Sequence, residues 1–300
     1  MNIRNHLSQR AAGPVLMLAA SLLFTLFNLL IKQLGPQYTA WHIGFYRFLG
    51  GIIVMGIVFN DHARHFTGVN RRLLIVRGCC GSAAFILLVS AIRLLPVSTA
   101  VVIFYVFPAF AALFSFLLYG ERIGPLQVGC IAVVLAGVAI LLDFRLAGNF
   151  WGQLMALIGG VIGGLTITLI RVLREKNGPV VIYFYFCTMG TLVTLPMFIQ
   201  TPVIPASTAE WIMILGIILF SVGGQLLMNE GFHYCLGCEG SVLMSSEVVF
   251  TAACGIILLN DPADWRFWVG GGMILASVVV LNRRSGSPRS TAIPRIAAVR

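Results

Sequence analysis

Leu117-Leu118-Tyr119-Gly120-Glu121 closes one apolar run, and 140 residues later Ile257-Leu258-Leu259-Asn260-Asp261 closes another in the same way, with an acid just past the end. Phe45-Tyr46 is answered by Phe184-Tyr185 at a shift of 139, and Ile31-Lys32 by Ile170-Arg171 at the same shift. A pattern of five hydrophobic segments is thus spelled twice, the mark of an internal duplication. The segments of the first copy run Gly13 to Ile31, Trp41 to Phe59, Gly78 to Leu95, Val97 to Tyr119 and Pro125 to Leu142. Those of the second run Phe150 to Ile170, Val180 to Phe198, Trp211 to Phe232, Ser241 to Leu259 and Trp265 to Leu281. Each copy has an odd number of segments, so the second enters a bilayer from the opposite side, as in inverted-repeat carriers. The expected fold is an all-α integral membrane protein of ten transmembrane helices in two inverted five-helix repeats, residues 1–145 and 146–282, followed by a tail over 283–300.

Composition agrees. Apolar residues fill 59% of the 300 positions and charged ones 10%, and the apolar runs are long enough to cross a hydrocarbon core of ~30 Å as helices. Helices satisfy their own backbone polar groups where lipid cannot. A barrel would instead show alternating polarity along each strand. No polar stretch is long enough for a separate soluble domain.

The net charge of +10 is explained by its placement. Arg4, Arg10, Arg64, Arg71, Arg72, Arg77, Arg122, Arg171, Arg174, Lys176, Arg283, Arg284, Arg289, Arg295 and Arg300 fall on the side that holds both termini. Only Lys32, Arg93, Arg145 and Arg266 fall on the other, and Arg47 alone reads as lying well inside a span. The positive-inside rule then places both termini in the cytoplasm. The basic excess is an orientation signal, and no nucleic-acid partner is expected. The first span, with no small-x-small site after it, reads as uncleaved.

Of the seven cysteines, five lie in apolar runs and act as small hydrophobes. Cys235 and Cys238 form one C-x-x-C with His233 nearby. Without a fourth ligand this reads as a tight cytoplasmic turn, and neither metal nor cofactor is expected. His62 and His65 read as solvated loop histidines.

Ser98-Thr99-Ala100-Val101-Val102, Pro108, Gly120-Glu121-Arg122, Gln127-Val128-Gly129 and Gly137 together resemble the fourth and fifth spans of the drug/metabolite transporter superfamily, in its EamA-like branch. The second half resembles them more loosely through Gly240-Ser241, Glu247, Asn260-Asp261 and Gly270-Gly271-Gly272. Two positions depart from the family pattern: Val248 where a proline often follows the glutamate, and Asp261 where Glu is common. The resemblance implies a ten-helix carrier with cytoplasmic termini and a cavity between the first four helices of each half. It also implies an exporter similar to bacterial exporters of amino acids, aromatic ones included.

A carrier needs polar groups deep in the bilayer, where such groups are costly unless they face a cavity, a partner or a proton. Glu247, seventh in its nineteen-residue span, is the first candidate, either as a contact for a substrate amine and titrating site or as a structural hydrogen-bond acceptor. Arg47 either clamps a substrate carboxylate, snorkels to an interface ~9 Å away, or pairs with Glu247 or Glu230. Gln225 and Asn229 share a helix face at i, i+4 spacing, with Glu230 beside them near the cytoplasmic end. Asn28, Thr166, Thr168 and Ser246 are further polar candidates, and Tyr46, Tyr105 and Tyr185 either line the cavity or pack. Pro108, in the middle of its span, frees the carbonyl of Phe104 and is a candidate hinge. Gly159, Gly160, Gly163 and Gly164 permit a close helix contact, read here as internal and compatible with a monomer.

The expected function is a secondary transporter that exports amino acids or related amine-bearing metabolites by alternating access. Alternatives are export of cationic drugs or other metabolites and, from other classes, a membrane enzyme or a channel. The sequence has no G-x-x-x-x-G-K-[ST] loop for a nucleotide and no H-E-x-x-H or G-x-S-x-G for hydrolysis. The expected partners are a small-molecule substrate and the lipid bilayer.

Overall fold

A computed structural model describes residues 3–58, 68–119, 125–141, 149–234, 244, 246–261 and 264–285. Every regular element among them is a helix: α1 (Ile3–Gln33), α2 (Ala40–Val58), α3 (Arg71–Leu94), α4 (Val97–Phe104), α5 (Phe107–Tyr119), α6 (Pro125–Leu141), α7 (Phe150–Leu173), α8 (Pro179–Gln200), α9 (Thr208–Tyr234), α10 (Ser246–Leu259) and α11 (Trp265–Ser285). Seven segments are long and apolar enough to cross a bilayer: Gly13–Gln33, Ala40–Val58, Arg71–Leu94, Val97–Tyr119, Phe150–Leu173, Pro179–Gln200 and Thr208–Gly231. Shorter apolar helices cover Val128–Gly137 and Ser246–Leu259. Large apolar side chains such as Ile57, Ile212 and Ile257 face outward, as they must where the surrounding solvent is lipid. The protein is a multi-pass membrane protein.

Helix packing follows a reciprocal scheme. α1 packs on α9 and α3 on α7, while α2 meets α8, α6 meets α11 and α4 meets α10. Exchanging the two halves of the chain maps this scheme onto itself: the first helix of each half lies against the third helix of the other.

The fourth segment is not one bent helix with Pro108 at its middle. It breaks at Tyr105-Val106, and Pro108 is the second residue of a new helix, α5. There its missing N–H costs nothing, because the first turn of a helix has no intrahelical acceptors for its donors. The Phe104 carbonyl, left without the donor a continuous helix would supply, comes up against α7 at Gly160: a Cβ there would lie 2.6 Å from it. Gly164 is as constrained, with a Cβ falling 2.8 Å from both the Ala111 nitrogen and the Phe107 oxygen. The glycine stripe of α7 therefore brings the broken helix close from inside the bundle.

The end of the bundle formed by residues 33–40, 94–97, 200–208, 260–261 and 264–265 is cross-linked. Lys32 donates to the carbonyls of Ile92 and Leu95, and Arg93 returns bonds to those of Ile31, Leu34 and Gly35. Each cation thus caps the last turn of the other's helix, where carbonyls lack partners and the dipole is negative. Asn260 takes the left-handed conformation (φ 54°) that ends α10, and Asp261 beyond it accepts from the Ser98 nitrogen and hydroxyl at 2.9 and 2.7 Å. Tyr38 donates to Glu210 at 2.8 Å; burial, reinforced by that carboxylate, pushes its phenol above its usual pKa range. All five tryptophans, Trp41, Trp151, Trp211, Trp265 and Trp268, belong to helix starts at this end, where an interfacial belt is favoured.

Candidate functional site

A cavity lies between α1, α2, α3, the α4–α5 break, α7, α8, α9 and α10. Aromatic rings form a large part of its wall: Phe24, Phe27, Phe85, Phe104, Phe107 and Phe186. The polar lining consists of Asn28, Arg47, Arg77, Tyr105, Thr166, Gln225 and Glu247.

Glu247 is held from two other elements. Asn28 on α1 donates to Oε1 at 3.0 Å, and the Tyr105 hydroxyl lies 2.8 Å from Oε2. That hydroxyl also stands 2.7 Å from the Met244 carbonyl. Tyr105 reaches this position because the chain is broken there, at the end of α4. Glu247 is the second residue of α10 as described; Met244 before it is also helical, and 241–243 and 245, the start of the span read from the sequence, lie outside the described residues.

Arg47 does not snorkel, and among the described residues it pairs with no acid. It is 3% exposed, its Nε donates to Ser221, and its guanidinium lies over the ring of Phe85 at 3.9 Å and within 5.4 Å of Phe27, Phe48 and Phe186. Such an aromatic cage holds a cation through ring quadrupoles and dispersion. The pairing with Glu247 or Glu230 considered from the sequence is absent: Glu247 bonds Asn28 and Tyr105, and Glu230 pairs with Arg174 at 3.8 Å.

Charge placement in the sequence puts Arg77 in a cytoplasmic segment, and the structure corrects this. α3 begins at Arg71, so Leu73-Leu74-Ile75-Val76 belong to the helix and carry Arg77 into the bundle, where it is 1% exposed. Its guanidinium lies 4.5 Å from the Phe186 centroid.

Of the other sequence candidates, Asn28, Tyr105, Gln225 and Thr166 line the cavity and the rest do not. Tyr46 donates to the Val203 carbonyl at 2.7 Å and packs against Phe198 and Trp211 at the cross-linked end. Tyr185 packs with the cluster of Leu74, Ile170 and Leu173. Thr168 spends its hydroxyl on the carbonyls of Gly164 and Ala111, the local bonding that makes threonine tolerable within a helix. Asn229 is fully buried, yet neither amide atom has a partner among the described residues. Glu230 is drawn off by Arg174, and Ser246 is partly buried one residue short of the acid. Cys235, Cys238, His62 and His65, and the His233 side chain, lie outside the described residues. Among the described residues no group of three His, Cys, Asp or Glu could hold a metal ion.

The sequence model of the EamA-like transporter family matches residues 11–143 and again 150–283. The chain belongs to the EamA-like transporter family. Its membership in this family, within the drug/metabolite transporter superfamily, makes it a transporter and not an enzyme. Among its relatives is the pseudopaline exporter CntI of Pseudomonas aeruginosa, 27% identical over 274 residues that cover 91% of this chain and 96% of that protein. Another is the human solute carrier family 35 member G1, 22% identical over 86% of this chain and 74% of its own length. A crystal structure 19% identical to the chain superposes with a TM-score of 0.66 over 92% of this chain and 99% of the other, so this EamA-like protein shares its fold with an experimentally determined one.

Proposed function

We propose that this EamA-like transporter is a secondary carrier that exports an amino acid or a related amine-bearing metabolite by alternating access. The observation that carries the reading is one aromatic-walled cavity holding a carboxylate, Glu247, and a caged guanidinium, Arg47, contributed by opposite halves of the chain. An ammonium group suits the first and a carboxylate the second, while the rings take up apolar bulk. Both halves contribute to the cavity, so a shift of one half against the other alters access to it. A single chain supplies all these groups, and a monomer suffices.

Ten spans in two inverted repeats, residues 1–145 and 146–282, are the arrangement we propose for the membrane. Its support is the twofold family match and the reciprocal packing of α1 on α9 and α3 on α7. With both termini cytoplasmic, in a bacterial inner membrane, the cross-linked end faces outward and the conformation is closed to the outside. The bacterial relative named as an exporter supports the direction.

Purified protein in proteoliposomes should show saturable counterflow of amino acids. Uptake of nucleotide sugars or triose phosphates with no amino acid would overturn the substrate class, and non-saturable flux would indicate a channel.

A further inference from the structure

The cavity's charges do not balance. Arg47 and Arg77 both line it, and Glu247 is the one acid among its lining residues. Neither arginine has a carboxylate partner among the described residues. Nη1 of Arg47 and both Nε and Nη1 of Arg77 are buried without a hydrogen-bond partner. Both guanidiniums rest on Phe186, their carbons 5.2 and 4.5 Å from its centroid, so they form one cluster bridged by a single ring. Buried guanidinium N–H groups left unmatched are costly, more so than neutral donors. An aromatic ring compensates the charge in part but accepts none of the in-plane hydrogen bonds a guanidinium fork offers. Such groups suit an anion with several acceptor oxygens.

We infer that Arg47 and Arg77 together form a two-arginine anion site, and that the preferred solute is an amino acid carrying a second acidic group, with a net charge of −1. Its ammonium group meets Glu247, and its two carboxylates, or a carboxylate and another oxyanion, meet the arginines. One more acid than base on the solute neutralises the lining charge, which a neutral zwitterion leaves at +1. This rests on the substrate class proposed above and narrows it.

The test uses matched pairs of solutes differing only in the second acid: aspartate and asparagine, glutamate and glutamine, and phenylalanine with and without a ring carboxylate. Counterflow is measured for the full-length protein and for Arg77→Gln and Arg77→Lys, each reconstituted to equal amounts and checked for monodispersity. In the wild type the acidic member of at least one pair should be favoured. Arg77→Gln should lower that acid-to-neutral ratio by about ten- to hundredfold, the worth of a charged hydrogen bond, and Arg77→Lys should restore part of it. Should Arg77→Gln fail to fold, the same ratio in Arg77→Lys, which keeps charge but loses the planar fork, decides: a drop supports the site, and an unchanged ratio overturns it. Transport of the neutral members equal to or above the acidic ones in the wild type overturns the two-arginine site while leaving amino acid transport standing. Transport of none of the six, with other solutes moved, removes both.

Discussion

The two charged regions of the cavity are built on opposite principles. At Glu247 both carboxylate oxygens are matched, by an amide from α1 and a phenol from the α4–α5 break. At Arg47 and Arg77 the charge is surrounded by rings, and although Arg47 spends its Nε on Ser221, its Nη1 and the Nε and Nη1 of Arg77 are left over. A matched acid is fixed in place and exchanges few bonds on binding a cation. The unmatched arginine donors gain bonds only when an anion arrives, so discrimination among solute anions should concentrate there.

Substitutions can break that comparison. The largest effect is expected for Glu247→Gln, which keeps shape and the acceptor facing Asn28. The Tyr105 hydroxyl can accept from the new amide while donating to the Met244 carbonyl. Folding should therefore survive while counterflow falls at least about tenfold, with thermal stability and transport measured on one preparation. Next, Arg47→Gln should fold, because no acid is stranded by its loss. Breaking a buried ion pair would cost about 3–5 kcal/mol; here the double variant Arg47→Gln/Glu247→Gln should be additive in stability within about 0.5 kcal/mol. Rescue of one change by the other would reveal a pairing that this structure does not contain. Tyr105→Phe should cost about 1–3 kcal/mol by leaving one oxygen of Glu247 short of a donor, seen as a lower melting temperature and a weaker apparent affinity. Smallest is Tyr46→Phe at the cross-linked end, worth about 1 kcal/mol of stability with unchanged preference among solutes, because Tyr46 lies outside the cavity.

The contrast between matched and unmatched charge was only half legible in the sequence. Glu247 stood out as an acid in an apolar run, and Arg47 as a cation in another, and both line the cavity. Arg77 was hidden by Arg71 and Arg72, which make its surroundings read as a basic loop. The signal lay in Leu73-Leu74-Ile75-Val76, an apolar stretch already within the helix before Gly78. Pro108 marked the disturbance of the fourth span, but the break three residues earlier depends on Gly160 and Gly164 of α7, a contact no local pattern encodes. Tyrosines and threonines were the least informative, since Tyr46 and Thr168 satisfy themselves on nearby carbonyls and their residue type does not say which way they face. Asp261, a departure from the family's usual Glu, reaches Ser98 at the cross-linked end, a role visible only once α4 and α10 are placed together.

The account's central claim is that one solute spans the cavity, its amine at Glu247 and its acid at Arg47. The most direct test is a chemical double-mutant cycle of equilibrium binding to purified wild type, Glu247→Gln and Arg47→Gln, using the best-transported amino acid, its deaminated analogue and its carboxamide. In the wild type both analogues should bind more weakly than the parent. Glu247→Gln should erase the penalty for losing the amine while retaining that for losing the acid, and Arg47→Gln should do the reverse. If both variants penalise both analogues as the wild type does, the solute does not bind between these two residues, and the claim is contradicted.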